Sequence, residues 1–291
     1  MKSTLVFLLV CSSIITVSGC VWSKWEQILA DKSYERPAID ASAPVTLNEE
    51  PASGPLLEPG HYHLKAPKMN DSFLVWVPYD YTPDRSWPVI FSYGGEGGAS
   101  TWLFQQVTRE RGFIIVGMNY TKSRSRRRDV EWLRQEKEFF FEALAIVSNR
   151  LNVDPGMVFM GGGSRGGYHT SLLGEQVLDR LAGLIILAAG RHTTNPYLPA
   201  VKPKAGVVNM PRTTIGAHAR EGAGIIHGKP IFIGIGENDK LHNRRAKKAA
   251  EVYKLWGADV TFEEWPGIGH SVNMEGGLLD WLKRVSGEAS K

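Results

Sequence analysis

The chain has 291 residues, two cysteines and a formal net charge of +4. That length allows one good-sized domain around a continuous core, and 43% apolar content with nine tryptophans excludes collagen-like, low-complexity and repeat architectures. The charge is modest, and its densest basic run, Arg124 to Arg128, lacks the broader basic face with interleaved aromatics that nucleic-acid binding would want; with Cys11 and Cys20 as the sole cysteines the body of the chain holds no disulfide, cysteine nucleophile or cysteine-zinc site.

Lys2, an apolar run from Leu5 to Val17 and the small pair Ser18 and Gly19 have the layout of a secretory signal over residues 1–19. The run is too short for a membrane span with stop-transfer flanks. Its ending, Val17-Ser18-Gly19-Cys20, resembles the bacterial lipobox, in which lipid is attached to the cysteine and the chain is cut just before it. The resemblance implies an exported lipoprotein held at the cell envelope, lipidated on Cys20; an ordinary signal peptide with an incidental cysteine is the alternative. Residues 20–59, rich in Pro, Ala, Ser and Glu without periodicity, read as a tether and irregular lead-in. The folded domain then spans 60–291.

Within it, β-rich runs at 73–77, 88–93, 113–120, 158–161, 184–189, 231–235 and 260–265 alternate with helical patterns at 102–111, 130–149, 168–178 and 244–256. This rhythm predicts an α/β fold, a mainly parallel sheet flanked by helices on both faces, with ligands bound at the carboxyl ends of the strands. Arg124, Arg126, Arg127 and Arg128 fall between a strand and a helix and read as a solvated loop, with anionic lipid near the anchor as the alternative. Residues 190–228 break the rhythm with Pro, Gly, Thr and Asn throughout, which predicts a loop or lid insertion on the ligand side.

The strongest chemical signal is Gly162-Gly163-Ser164-Arg165-Gly166, a G-x-S-x-G pattern directly after the apolar Val158-Phe159 and before a helix. There a strained strand-to-helix turn presents the serine, flanking glycines avoid collisions, and the helix N-terminus offers amides to developing negative charge. Ser164 is the expected nucleophile. A serine needs a general base and the base an orienting carboxylate, and both follow. Residues 233–239 run from an apolar strand into an acidic turn, so Asp239 is the expected acid, with Glu237 competing from nearer the strand end. Pro266-Gly267-Ile268-Gly269-His270-Ser271 comes after the last strand; proline and glycine rather than an apolar face surround His270, which makes it the expected base. The oxyanion hole is expected from the amide of Arg165 and from Gly95 in the loop Ser92-Tyr93-Gly94-Gly95-Glu96-Gly97-Gly98, with Glu96 the next candidate and a substrate contact. Arg191 and His192 are expected to bind substrate, with Asn195, Tyr197 and Arg220 as further donors. No cofactor is needed. No metal site is expected either: His61 and His63 would share one strand face without a third ligand, and His192, His218 and His227 lack ligand spacing.

These residues resemble the α/β-hydrolase superfamily, and more loosely the secreted polyhydroxybutyrate depolymerases and feruloyl or acetylxylan esterases. The resemblance covers about Phe73 to Leu282 and adds Val77-Pro78, Trp87-Pro88-Val89-Ile90, Gly236-Glu237-Asn238-Asp239 and Gly269-His270-Ser271 to the elbow. It implies an α/β-hydrolase fold and a serine carboxylic ester hydrolase that works through an acyl-enzyme on extracellular or periplasmic esters, among them acyl or aromatic esters of polysaccharide. A prolyl-oligopeptidase-type peptidase and a non-catalytic hydrolase-like binding protein are the alternatives. Two residues depart from the pattern. Tyr93 stands where histidine usually precedes the glycines, and Arg165 where Gln, Asn or Met is usual; glucuronoyl esterases do carry arginine there, although the glycine-lysine continuing their motif is missing.

Overall fold

The computed structural model describes residues 56–95, 99–121, 130–192 and 226–287. The expectations for the signal segment, Cys20, most of the tether, Glu96, the arginines at 124–128 and residues 193–225, with Asn195, Tyr197, His218 and Arg220, lie outside the described residues.

Strands β1 (Gly60–Ala66) and β2 (Asp71–Val77) pair as an antiparallel hairpin, and β2 lies antiparallel to β4 (Ile114–Met118). From β4 onward the sheet is parallel through β3 (Trp87–Tyr93), β5 (Val153–Gly163), β6 (Gly183–Leu187), β7 (Pro230–Gly236) and β8 (Asp259–Trp265), in the order β1-β2-β4-β3-β5-β6-β7-β8. All of β3, β4 and β6 is buried, as the near-continuous apolar runs of strands covered on both faces require.

Period-2 alternation sorts the side chains. Val89, Phe91, Val116, Met160, Ile186 and Ile233 pack on one face with residues of α2 (Val130–Arg150), α3 (Arg165–Gly174) and α4 (Asn243–Leu255). Ile90, Ile115, Phe159, Ile185 and Phe232 pack on the other with α1 (Trp102–Thr108) and α5 (Leu278–Val285). Each predicted run falls in the sheet. Strand β1 adds to them: its Leu64 and Ala66 turn inward while His61, His63 and Lys65 are exposed, so an edge strand with one wet face carries little apolar signal. Helix α1 stops three residues short of expectation because Arg109 turns left-handed (φ 53°) and its N–H closes on the carbonyls of Gln105 and Gln106. Among the described residues no helix is long and apolar enough to cross a membrane.

The chain order places the site. Strand β3 has β4 on one side and β5 on the other, so connections leave in opposite directions and a crevice opens beyond the carboxyl ends of β3 and β5. Ser164 follows the last residue of β5 directly.

Candidate active site

The backbone at Ser164 is strained. The residue sits at φ 54° and ψ −120°, a region costing a non-glycine residue about 1–3 kcal/mol, and its N–H is held by the Leu187 carbonyl at 2.9 Å. The turn is packed without clearance: a Cβ on Gly166 would lie 1.9 Å from the Tyr93 carbonyl oxygen, and one on Gly162 2.5 Å from the Gly166 carbonyl carbon. Two glycines therefore let the elbow nest against the end of β3.

The loops after β7 and β8 bring the other two groups. Gly236 admits the second loop, since a Cβ there would meet the Gly269 carbonyl at 2.1 Å, and the Asn238 N–H donates to the Ile268 carbonyl at 2.8 Å. Ser164 Oγ lies 2.8 Å from His270 Nε2, and His270 Nδ1 lies 2.5 Å from Asp239 Oδ2. An Nδ1–H donated to the carboxylate leaves Nε2 as acceptor for the serine hydroxyl, the tautomer a general base needs. Asp239 is 4% exposed, and its second oxygen accepts the His242 N–H at 3.1 Å. Glu237 instead accepts the Gly267 N–H at 3.0 Å. Of the two competing acids, Asp239 has the imidazole and Glu237 shapes the turn that carries it.

Arg165 is the first residue of α3, so its amide has no partner within the helix and lies next to Ser164. The Gly95 backbone faces it from the β3 loop; a Cβ there would stand 3.7 Å from both the Gly163 carbonyl oxygen and Ser164 Cβ. The two backbone segments expected to supply oxyanion donors thus lie beside Ser164.

No protein-family model and no curated protein sequence matches the chain. Solved structures do. A ferulic acid esterase from the anaerobic fungus Anaeromyces mucronatus is 13% identical, over 85% of this chain and 97% of that one, with a TM-score of 0.52. S-formylglutathione hydrolase from Agrobacterium tumefaciens is 14% identical over 78% and 94%, at 0.53. The fluorophosphonate-binding serine hydrolase F of Staphylococcus aureus is 15% identical over 82% and 100%, at 0.54. The fold is that of the α/β-hydrolases.

The departure at Tyr93 from the pattern that the motifs resemble has a structural account. Its ring is fully buried, 4.4 Å from that of His169 on α3, and burial with Glu136 and Tyr120 nearby pushes its phenol well above the usual range. It fills core below the loop, and its carbonyl rather than its side chain meets the elbow.

Sequence reasoning missed His242. Its ring lies 4.6 Å from that of His270 at 32°, its Nδ1 is 2.7 Å from Tyr168 Oη, and burial lowers its pKa, with His270 and Arg245 acting in the same direction against Asp239. The Asp-x-x-His spacing was the available signal, because a tight turn folds the fourth residue back over the first. Asp239, His242 and His270 place donor atoms within 4.8 Å of one another. Yet the Asp239–His270 pair at 2.5 Å is closer than two ligands of one tetrahedral ion, about 3.3 Å apart for bonds of about 2.0 Å. The cluster is spaced for a shared proton.

Arg191 corrects an expectation. Its guanidinium is bound in bidentate fashion to Glu175, at 2.7 and 2.9 Å, and lies 4.5 Å from the Trp256 ring, so an internal carboxylate holds it; Tyr253 Oη donates to the same carboxylate at 2.7 Å. Arg191, four residues beyond β6, thereby links the ends of α3 and α4. His192 is half-buried, and its N–H donates to Ser171 Oγ at 2.8 Å. His61, exposed on β1, has its ring 4.3 Å from that of the buried Trp76, tilted by 48°.

Proposed function

We propose that the protein is a serine hydrolase of carboxylic esters, exported and held at the cell envelope by lipid on Cys20. The observation that carries the reading is the continuous hydrogen-bonded path from Asp239 through His270 to Ser164 on a strained elbow. His270 Nε2 takes the hydroxyl proton as Ser164 Oγ attacks the ester carbonyl; Asp239 stabilises the imidazolium so formed. The amides of Arg165 and Gly95 hold the tetrahedral oxyanion, the leaving alcohol takes the proton back from His270, and water repeats the sequence to free the acid.

Acyl or aromatic esters of polysaccharide are the proposed substrates. The resemblance in the motifs supports this class, and so does the presence of ferulic acid esterases among the similar structures. A fluorophosphonate probe tests the chemistry: Ser164 Oγ attacks phosphorus and fluoride leaves, so wild type is labelled and Ser164→Ala is not. An unlabelled wild type would instead make the protein a hydrolase-like binder. Short acyl, feruloyl and glucuronoyl esters assayed side by side decide the substrate.

A further inference from the structure

The loop that carries Gly95 poses a problem of direction. Gly94 and Gly95 are consecutive glycines, and such a peptide adopts either orientation at little steric cost. In a planar trans peptide the carbonyl and the following N–H point opposite ways, so the Gly95 N–H serves an oxyanion only while the Gly94 carbonyl is held facing away from it. Tyr120 supplies that hold, because its hydroxyl donates to the Gly94 carbonyl oxygen.

We infer that Tyr120 is a positioning residue of the oxyanion site, setting the direction of the Gly94–Gly95 peptide. The inference rests on the serine-hydrolase reading above. Tyr120 is itself fixed from three sides. Its neighbour Thr121 gives both its N–H, at 2.7 Å, and its hydroxyl, at 2.5 Å, to Glu136 Oε1, and Glu136 is fully buried on α2. On α3 the His169 ring stands edge-on to the Tyr120 ring at 5.0 Å and 87°. The Arg165 guanidinium covers the same ring at 4.5 Å. The phenol therefore touches the helix that begins at the nucleophile and the loop that holds the opposing donor. Register agrees: β3 and β4 run parallel with Tyr93 opposite Met118, so two residues further along Tyr120 comes level with Gly95.

The test is Tyr120→Phe, which keeps the ring contacts and deletes the hydroxyl. With a small activated aryl acetate, kcat should fall about tenfold to a hundredfold, short of the loss for deleting an oxyanion donor outright, while KM changes less than about twofold. Fluorophosphonate labelling of Ser164, which also builds charge on oxygen, should slow by the same factor. Binding of an aryl boronic acid, a tetrahedral anion once serine adds, should weaken in parallel, with binding of the uncharged amide analogue and the melting temperature unchanged. Unchanged kcat and labelling rate in the variant overturn the inference, as does a loss that appears equally in amide binding or melting temperature, since that marks ordinary packing. An unlabelled wild type refutes the hydrolase reading and this inference with it, an outcome distinct from a labelled wild type with an equally labelled variant.

Discussion

At the scale of single residues, two carboxylates two positions apart are given different work by where their loop sends them. Asp239 is buried and holds both His270 Nδ1 and the His242 N–H, whereas Glu237 is exposed and holds only a backbone N–H of the histidine turn. Asp239→Asn should lower kcat on an activated ester by about 10³–10⁴, since the amide disrupts the tautomer that makes Nε2 a base. Glu237→Gln should cost less than about tenfold, because a neutral acceptor still reaches Gly267. Equal losses would mean that the orienting role is misassigned. His242 adds a pH term. Its pKa is lowered on folding, chiefly by burial, so between its ordinary value of about 6.5 and the lower folded value the unfolded chain binds a proton that the folded chain refuses. Stability should therefore decline as pH falls through that window and level off below it. Melting temperatures of wild type and His242→Asn from pH 7 downward check this: the variant should decline less steeply, and parallel curves would clear His242 of the effect.

At the scale of elements, the elbow separates its glycines by what surrounds each. A methyl on Gly166 would meet the Tyr93 carbonyl at 1.9 Å, backbone that cannot yield, while one on Gly163 meets only Leu103 and Val272 side-chain carbons at 3.5 and 3.7 Å. Gly166→Ala should cost about 3 kcal/mol, the upper range for overpacking, and Gly163→Ala less than about 1 kcal/mol; urea unfolding of both variants measures the difference. A tolerated Gly166→Ala would show that β3 can retreat from α3. The elbow was readable because its needs are local, a turn between a strand and a helix with small neighbours. The same holds for His270, set among glycines. Arg191 was misread for the opposite reason: its partners Glu175, Tyr253 and Trp256 come from two helices distant in sequence, and a charged residue opening a loop looks like a ligand donor until packing finds it a carboxylate. Tyr120, Glu136 and His169 likewise carry no local pattern, since their meaning arises from β4, α2 and α3 lying side by side.

At the scale of the whole molecule, the alternation of runs was enough to imply a parallel sheet and hence a site on its carboxyl edge, and Ser164, Asp239 and His270 do leave three different strands on that edge. The edge strand β1 was legible only in the shared face of His61 and His63, because half of it faces water. The lead-in reaches the fold at the other end. Leu57 is buried, its N–H donates to the Arg150 carbonyl at 3.1 Å, and Arg150 ends α2 just before β5 begins at Val153. Strand β5 then runs its whole length to deliver Ser164, so the chain joins the domain at the amino edge of the sheet, opposite the catalytic groups. A lipid on Cys20 would accordingly tether the domain through a segment that joins the fold at that edge. Cys20→Ser should thus move the protein from the membrane to the soluble fraction while kcat/KM on a small soluble ester stays within about twofold, because among the described residues the lead-in meets Arg150 and not the groups around Ser164. Wild type already in the soluble fraction would end the anchor hypothesis, and a released variant with reduced activity on the small ester would mean that the lead-in reaches the site after all.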